Sequence, residues 1–462
     1  MARADATIDT DDLLAIRAGR DLQLNHYGEN QVPFAQVGGT GMTQSLVALE
    51  GPDQGRTYDV MDASGSYGSA CLGAGHPLFS ARFPSLWASS GCATDELGSR
   101  ARSGFLNTCF GPGGLWTNRF PTGEYRVSGR NSGSEGMELA LRLVLESRWD
   151  FRHLAPYPGR EDRRVILAFE GAWHGWTPGA QALTNRRHYR LGLPDALQEG
   201  PWGCKVQFLP FAEPGLLEGW FREHGAELAA VIVEPIQGDA GILVPPAGYL
   251  RTLEQLCRRY GALLVADEVL TFGKTGQFFA MTDNQGPIPT DITVIGKSIG
   301  FGIEALSLVI ARKDLTVRPS GAVATRDLRP LTCALVQAGL DYLLAGHLLE
   351  RSSQLGQTLH AGLRDIAAEC PEVFREVRGL GYLQGMELTE PAAQALPNLR
   401  RRLVEKGVWV EFMAGAGRRS HGLRYLLPTM RIAPPLIATA DDLDRILAAI
   451  LAGTRAFQGE IR

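Results

Sequence analysis

The chain has 462 residues, with 46 Lys and Arg against 50 Asp and Glu, 44% hydrophobic and 21% charged residues. That length and balance suit a globular protein built from one large domain and a smaller one. A net charge of −4 argues against nucleic acid or an anionic membrane surface as the main partner.

The polar, acidic start MARADATIDTDDLL lacks an apolar core, so no secretory leader is expected. No uncharged apolar run approaches the roughly 20 residues that span a bilayer. Cys71, Cys92, Cys109, Cys204, Cys257, Cys333 and Cys370 are scattered without a CxxC pair. That pattern points to buried thiols in a reducing cytoplasm, neither a disulfide frame nor a zinc site.

In chain order, the sequence predicts a helix over Thr10–Arg20, then strand-like pieces at Ser45–Leu49 and Thr57–Asp62. From about Ser128, short apolar runs alternate with helical patterns. VILAF (165–169), AAVIVEP (229–235), ALLVADEV (262–269) and ITVIG (292–296) read as strands. Helices are expected over Ser134–Glu146, Glu213–His224 and Tyr249–Tyr260. Strands buried on both faces with helical crossovers imply an α/β fold with a mainly parallel sheet. After Pro330 two helices (Leu331–Leu344, Leu348–Glu369), short strands near Tyr382–Glu387 and Val408–Glu411, and a last helix (Leu443–Leu451) suggest a smaller α+β domain. The expected division is 1–75 as an N-terminal segment packing with the small domain, 76–329 as the large domain, and 330–462 as the small one.

Four motifs carry chemistry. In NSGSEGMELALRLV (131–144) a turn of small residues opens onto an amphipathic run. Helix N-termini present unpaired N–H groups, so Gly133 and Ser134 form a candidate phosphate site, though Ser134 as a plain helix cap explains the pattern equally. In ALLVADEV, Asp267 ends an apolar strand, where open α/β sheets bind ligands, and it needs a cationic or hydrogen-bonding partner. A metal is weakly supported there, because EPIQGD adds Glu234 and Asp239 but no histidine cluster, and no metal is expected. Asp267 or Glu268 capping the next turn is the plainer alternative. In FEGAWHGW, Trp173 offers a flat face, while His174 reads as a hydrogen-bonded structural residue. In TVIGKSIGFG, Lys297 stands out because lysine otherwise occurs only at 205, 274, 313 and 406. A partly desolvated lysine can form a Schiff base, which arginine cannot. An anion site, an aromatic plate, a strand-end carboxylate and an amine together fit one ligand, pyridoxal 5′-phosphate.

The order and wording of these motifs resemble the class III, fold-type-I aminotransferases, among them the ornithine, acetylornithine and 4-aminobutyrate aminotransferases. The likeness runs from about Tyr58 to Leu436 and is densest over EPIQGDAGILVPPAGYL, ADEV and IGKS, with MRIAPPL near the end. It implies a pyridoxal-phosphate-dependent transferase with a seven-stranded-type sheet. Lys297 is then the lysine of the internal aldimine, Asp267 the partner of the pyridine nitrogen, and Val269 the apolar residue under the ring. Trp173 becomes the plate above the ring, Gly133 and Ser134 the phosphate turn, and Glu234 a further cofactor-side residue. Thr325 of VATRDLRP matches a threonine that reaches the phosphate of a neighbouring subunit, so a homodimer with shared sites is implied. On the substrate side, Tyr67 matches an aromatic lining the pocket, and Arg431 an arginine that grips a substrate carboxylate. Asp239 stands where ornithine-type enzymes place a glutamate that masks that arginine, but being one methylene shorter it is not counted on to close a direct pair with Arg431.

Several positions depart from the family wording. GFGIEALS replaces the usual GGG-x-P, bringing in Phe301 and Glu304. TRDLRP replaces TFGGNP, Ala74 stands for a histidine, and Leu270 for a polar residue or methionine. The expectation is an aminotransferase acting on an amino acid or amine, in cytoplasmic, specialised (natural-product) metabolism. The alternative is the same fold diverting a carbanion to elimination, replacement or annulation on an activated amino acid such as S-adenosylmethionine.

Overall fold

The computed structural model describes residues 7–28, 31–91, 93–186, 189, 192, 203–315, 317–319 and 321–461. Helix α1 (Thr10–Asp21) is capped by Asp9, whose carboxylate accepts the Asp11 N–H at 2.8 Å. Strands β1 (Phe34–Thr40), β2 (Thr43–Ala48) and β3 (Thr57–Asp62) form an antiparallel meander. Helices α2 (Pro77–Ser90) and α3 (Arg100–Phe110) lead to β4 (Tyr125–Arg130).

Strands and helices then alternate: α4 (Gly133–Glu146), β5 (Val165–Glu170), β6 (Lys205–Pro210), α5 (Pro214–His224), β7 (Leu228–Val233), α6 (Tyr249–Tyr260), β8 (Leu263–Glu268), β9 (Ile292–Ile295) and β10 (Ser307–Arg312). They make a 7-stranded sheet in the order β4-β10-β9-β8-β7-β5-β6. The strands from β9 to β6 are mutually parallel, and β10 alone runs against its neighbours β9 and β4. All residues of β5, β7 and β9 are buried. A strand covered on both faces has no polar side, which is why these three stand out as largely apolar runs.

The last third begins with α7 (Pro330–Ala345) and α8 (Leu348–Glu369), which meet at a 60° bend. Among the described residues no single helix is long and apolar enough to cross a membrane. Leu335, Val336, Leu340, Leu359 and Leu363 of this bent pair lie in the main apolar core. There follow β11 (Phe374–Leu380), β12 (Leu383–Leu388), α9 (Leu396–Glu405), β13 (Val408–Trp409), β14 (Glu411–Met413), β15 (Thr429–Ile432) and α10 (Ala440–Gln458). The strand expected over Val408–Glu411 is two. β13 pairs in parallel with β3, Val408 opposite Met61, while β14 joins the antiparallel sheet β11-β12-β15-β14. The final helix is longer than its apolar stretch, because Thr439 and Asp442 start it with a reciprocal capping box. The six described cysteines are buried and unbridged; Cys92 lies outside the described residues.

Candidate active site

Because β10 is antiparallel to both β9 and β4, strands β4, β8 and β9 end at the same edge of the sheet. The segments leaving that edge carry Gly133–Ser134, Asp267–Val269 and Lys297. Helix α4 is capped by Ser132, whose Oγ accepts the Glu135 N–H at 3.2 Å, so Ser134 is not the cap. Glu135 in turn accepts the Asn131 N–H at 2.7 Å. This leaves Gly133 and Ser134 in the first turn of a 14-residue helix, at the positive end of its dipole. A Cβ on Gly133 would lie 2.7 Å from Val269 Cγ1, so only glycine lets the turn close on the valine. Gly175 (φ 128) is required for a similar reason: a Cβ there would lie 2.4 Å from Ser134 Oγ. The next residue, Trp176, donates its N–H to that hydroxyl at 3.2 Å.

The two acids at the end of β8 divide their work. Glu268 turns inward, accepting the Ala280 N–H at 2.6 Å, the Met281 N–H at 3.0 Å and the Thr271 hydroxyl at 3.0 Å, with Arg119 at 3.7 Å. Asp267 accepts the Val269 N–H at 3.1 Å on one oxygen and meets His174 Nδ1 at 2.7 Å on the other. A carboxylate has about four lone-pair sites, so Asp267 keeps room for another donor. Burial disfavours the His174 cation, but the hydrogen bond to Asp267 and the charges of Asp267 and Glu234 outweigh it and raise the pKa of the ring. Glu234 accepts the Trp173 N–H at 2.8 Å and the Gly238 N–H at 3.0 Å. Its contribution is therefore to anchor the aromatic loop, and burial pushes it up to about 7.

Lys297 opens a 3₁₀ turn directly after β9 with φ 45, a left-handed conformation that costs an L-residue roughly 1–2 kcal/mol. Burial, and then the nearby Arg431 cation, lower its amine from 10.5 to about 8. Trp173 is half-buried, in edge contact with Trp176 (ring centroids 4.5 Å apart) and Tyr189 (5.0 Å).

The substrate-side residues are already partnered within the chain. Arg431, on β15, is 2% exposed and ion-paired with Glu411 on β14. Asp239 pairs with Arg186 instead, whose second nitrogen donates to the Gly171 carbonyl at 3.0 Å. Tyr67 lies under the Arg431 guanidinium, 5.3 Å from ring centroid to carbon, and its N–H donates to Glu411 at 2.8 Å. Sequence reasoning singled out neither Glu411 nor Arg186. An acid between Val410 and Phe412 in an apolar strand was a signal for Glu411; TNRRHYR gave none for Arg186.

Two departures from the family wording face inward. Phe301 is buried against Phe79, and Glu304 pairs with Arg329 and accepts the Thr332 hydroxyl at 2.9 Å. Glu304 and Arg329 thus engage each other within the fold. Thr325 is exposed, on a turn whose Asp327 grips Ser128 and Gly129 of β4.

These residues fit pyridoxal phosphate. The helix N-terminus at Gly133 and Ser134 suits the phosphate, Asp267 with its spare acceptor sites suits a protonated ring nitrogen, and Val269 and Trp173 suit the ring faces. Lys297 supplies the amine.

Residues 52–452 match the family model described as aminotransferase class-III. The chain is 31% identical to ornithine aminotransferase 1 of Staphylococcus saprophyticus over 324 residues, 69% of this chain and 73% of that one. It is 32% identical to an ornithine aminotransferase of Bacillus cereus (strain Q1) over 329 residues, 70% and 74% of the two chains. Among solved structures it superposes on the ornithine aminotransferase of Toxoplasma gondii ME49 with a TM-score of 0.79 at 24% identity, covering 98% of this chain and 97% of that. An (S)-enantioselective omega-transaminase from Thermomicrobium roseum gives 0.77 at 23%, covering 98% and 99%. The two structural likenesses establish the fold.

Proposed function

The chain belongs to the class-III aminotransferase family, fold-type-I transferases that work with pyridoxal phosphate, and we propose that within it this protein takes the terminal amino group of an ornithine-class diamino acid and passes it to a 2-oxo acid. The observation that carries the reading is the Arg431–Glu411 pair. An amino acid reacting at its α-amine holds a carboxylate beside the reacting carbon and needs a cation near Lys297. Arg431 is close enough to depress the Lys297 amine, yet its charge is already engaged. A terminal amine carries no such carboxylate, so the paired site favours it. The likeness to ornithine aminotransferases supports the same donor.

When bound, pyridoxal phosphate supplies an aldehyde for the incoming amine and a ring that draws electrons from the carbon beside it. The chain's own residues do the rest. Asp267, held by His174, keeps a proton at the ring nitrogen, and Lys297 carries the proton taken from the reacting carbon. Trp173 and Val269 fix the ring plane, and Gly133 and Ser134 hold the phosphate. We place the enzyme in the cytoplasm as a homodimer. Buried, unbridged cysteines support the compartment, and the exposed Thr325 supports a role across a subunit boundary. The departures from the family wording at Ala74 and Leu270 support a substrate specialised beyond ornithine itself, as in natural-product synthesis. The inward-facing Phe301 and Glu304 remove the main motive for a carbanion-diverting reaction.

The test is a single-turnover absorbance scan of the yellow holoenzyme with ornithine, 4-aminobutyrate, glutamate and S-adenosylmethionine. Bleaching by ornithine with formation of the terminal semialdehyde, reversed by 2-oxoglutarate, is the expected result. Reaction of ornithine at its α-amine, or a persistent long-wavelength band with S-adenosylmethionine, overturns it.

A further inference from the structure

One buried cation takes no part in the chemistry above. Lys274 has none of its surface exposed, and its Nζ has no hydrogen-bond partner. Its backbone is held in place: its N–H donates to Thr271 at 3.0 Å and its carbonyl accepts from Tyr382 at 2.9 Å. A buried amine without a partner is costly, so its presence asks for a reason.

The side chain lies against the turn that carries Tyr67. A Cβ on Gly65 would stand 3.5 Å from Lys274 Nζ, and one on Gly68 would stand 3.6 Å from Cε. Four successive residues of that turn are left-handed: Gly65 (φ 56), Ser66 (φ 49), Tyr67 (φ 55) and Gly68 (φ 77). Two of them are not glycine and are strained there. Glu411 touches the same turn, accepting the Tyr67 N–H, while its other oxygen holds Arg431. The Asp62 carboxylate, also near the amine, is engaged by the N–H groups of Ser64 and Gly65, both at 2.9 Å.

The proposed reaction needs Arg431 twice in different states. It is masked for the diamino acid but open for the 2-oxo acid, whose carboxylate sits beside the reacting carbon. Opening it strands Glu411 as a buried carboxylate without a counter-ion, an arrangement that is strongly disfavoured. Three other basic groups influence or feel Glu411, and one of them, Lys297, is committed to the cofactor. Arg400 is only half-buried and stands over the Phe412 ring at 5.4 Å. Lys274 is sealed from water and its Nζ is unpartnered; burial lowers its pKa, Cys71, Asp62 and Glu411 counter that, and Arg431 adds to it.

We propose that Lys274 is the second resting place of the Glu411 carboxylate, which leaves Arg431 for Lys274 when a substrate carboxylate arrives. The strained Tyr67 turn, attached to Glu411, moves with it. Lys274 is thus a positioning residue that sets how readily the enzyme accepts α-carboxylate substrates, without touching them. This rests on the reading of Arg431 as the substrate's carboxylate partner.

The test titrates glutarate into the holoenzyme and follows tryptophan fluorescence, since Trp173 is hydrogen-bonded through its backbone N–H to Glu234 of the site and packs on Trp176. Lys274→Met is expected to weaken glutarate binding at least tenfold while melting no lower than the unaltered protein. Glu411→Ala removes the mask and should tighten binding; adding Lys274→Met to it should then change binding less than twofold. Equal weakening in both backgrounds overturns the proposal, because Lys274 would then act on the ligand or the fold directly. So does unchanged binding in Lys274→Met, or the same effect from Arg400→Met alone. If Lys274→Met does not fold, Lys274→Gln, uncharged but still polar, carries the same comparison. Failure of ornithine to react while this cycle holds would sink only the assignment of the donor.

Discussion

His174 Nδ1 stands 2.7 Å from Asp267 Oδ2, and both side chains are shut away from water. The histidine therefore acts on the cofactor's nitrogen through the aspartate. It holds the carboxylate in position, and although burial opposes its cation the Asp267 hydrogen bond and charge raise its pKa, while its own Nε2 has no partner.

Replacing His174 with Phe should remove that support without emptying the space. A hydrogen bond to a charged group contributes about 1.5–3 kcal/mol, so the cofactor should be held roughly 10- to 100-fold less tightly. Equilibrium dialysis of pyridoxal phosphate against the variant checks this. Retention at the unaltered level would show that Asp267 holds its geometry alone.

Lys297 titrates near 8, lowered from 10.5 by burial and then by Arg431. Its neutral form is the nucleophile, so uptake of pyridoxal phosphate by the stripped protein should speed up with pH and level off above about 8. The stability of the stripped protein follows the same group. Between about 8 and 10.5 the unfolded chain binds more protons at this lysine than the folded one does. Stability should accordingly rise with pH across that window in the unaltered protein relative to Lys297→Met. Arg431→Met, lacking the neighbouring cation, should move the uptake midpoint upward.

The cofactor half of the site was legible in the sequence because each part follows a strand end and is fixed locally. Gly133 follows β4, Asp267 ends β8, and Lys297 is two residues past β9. The strands beneath Asp267 and Lys297 were legible for a related reason, since burial on both faces leaves them mostly apolar up to the functional ends. Strands β4 and β6, at the sheet edges, mix polar with apolar residues and gave no such run. The substrate half was not legible in its partners. Arg431 meets Glu411 only because β14 and β15 pair with these two residues opposite each other. Asp239 is paired across 53 residues with Arg186, which no local pattern marks.

Glu411→Gln tests the ion pair on which substrate choice turns. It leaves the Arg431 charge buried and uncompensated, a loss of about 3–5 kcal/mol for a broken buried pair. The variant should melt well below the unaltered protein, and glutarate should restore more stability to it than to the parent by supplying the missing carboxylate. Ornithine should lose its advantage over glutamate in single turnovers. Melting unchanged by the substitution would mean that Arg431 finds another partner, and the masking argument would fail.

The contact between Gly133 and Val269 joins the phosphate turn to the residue under the ring. Gly133→Ala would place a methyl group 2.7 Å from Val269 Cγ1, so either α4 or the valine has to retreat. Overpacking of this kind costs about 1–3 kcal/mol. Val269→Ala removes the obstacle but leaves the ring unsupported, so alone it should weaken cofactor binding with little loss of fold stability. Together, the two substitutions should be less damaging to stability than Gly133→Ala alone, while cofactor affinity stays low. Thermal melts of the stripped protein and cofactor titrations of all three variants separate these effects. Additive losses in the melts would show that the close approach is relieved elsewhere and that Gly133 serves only the anion.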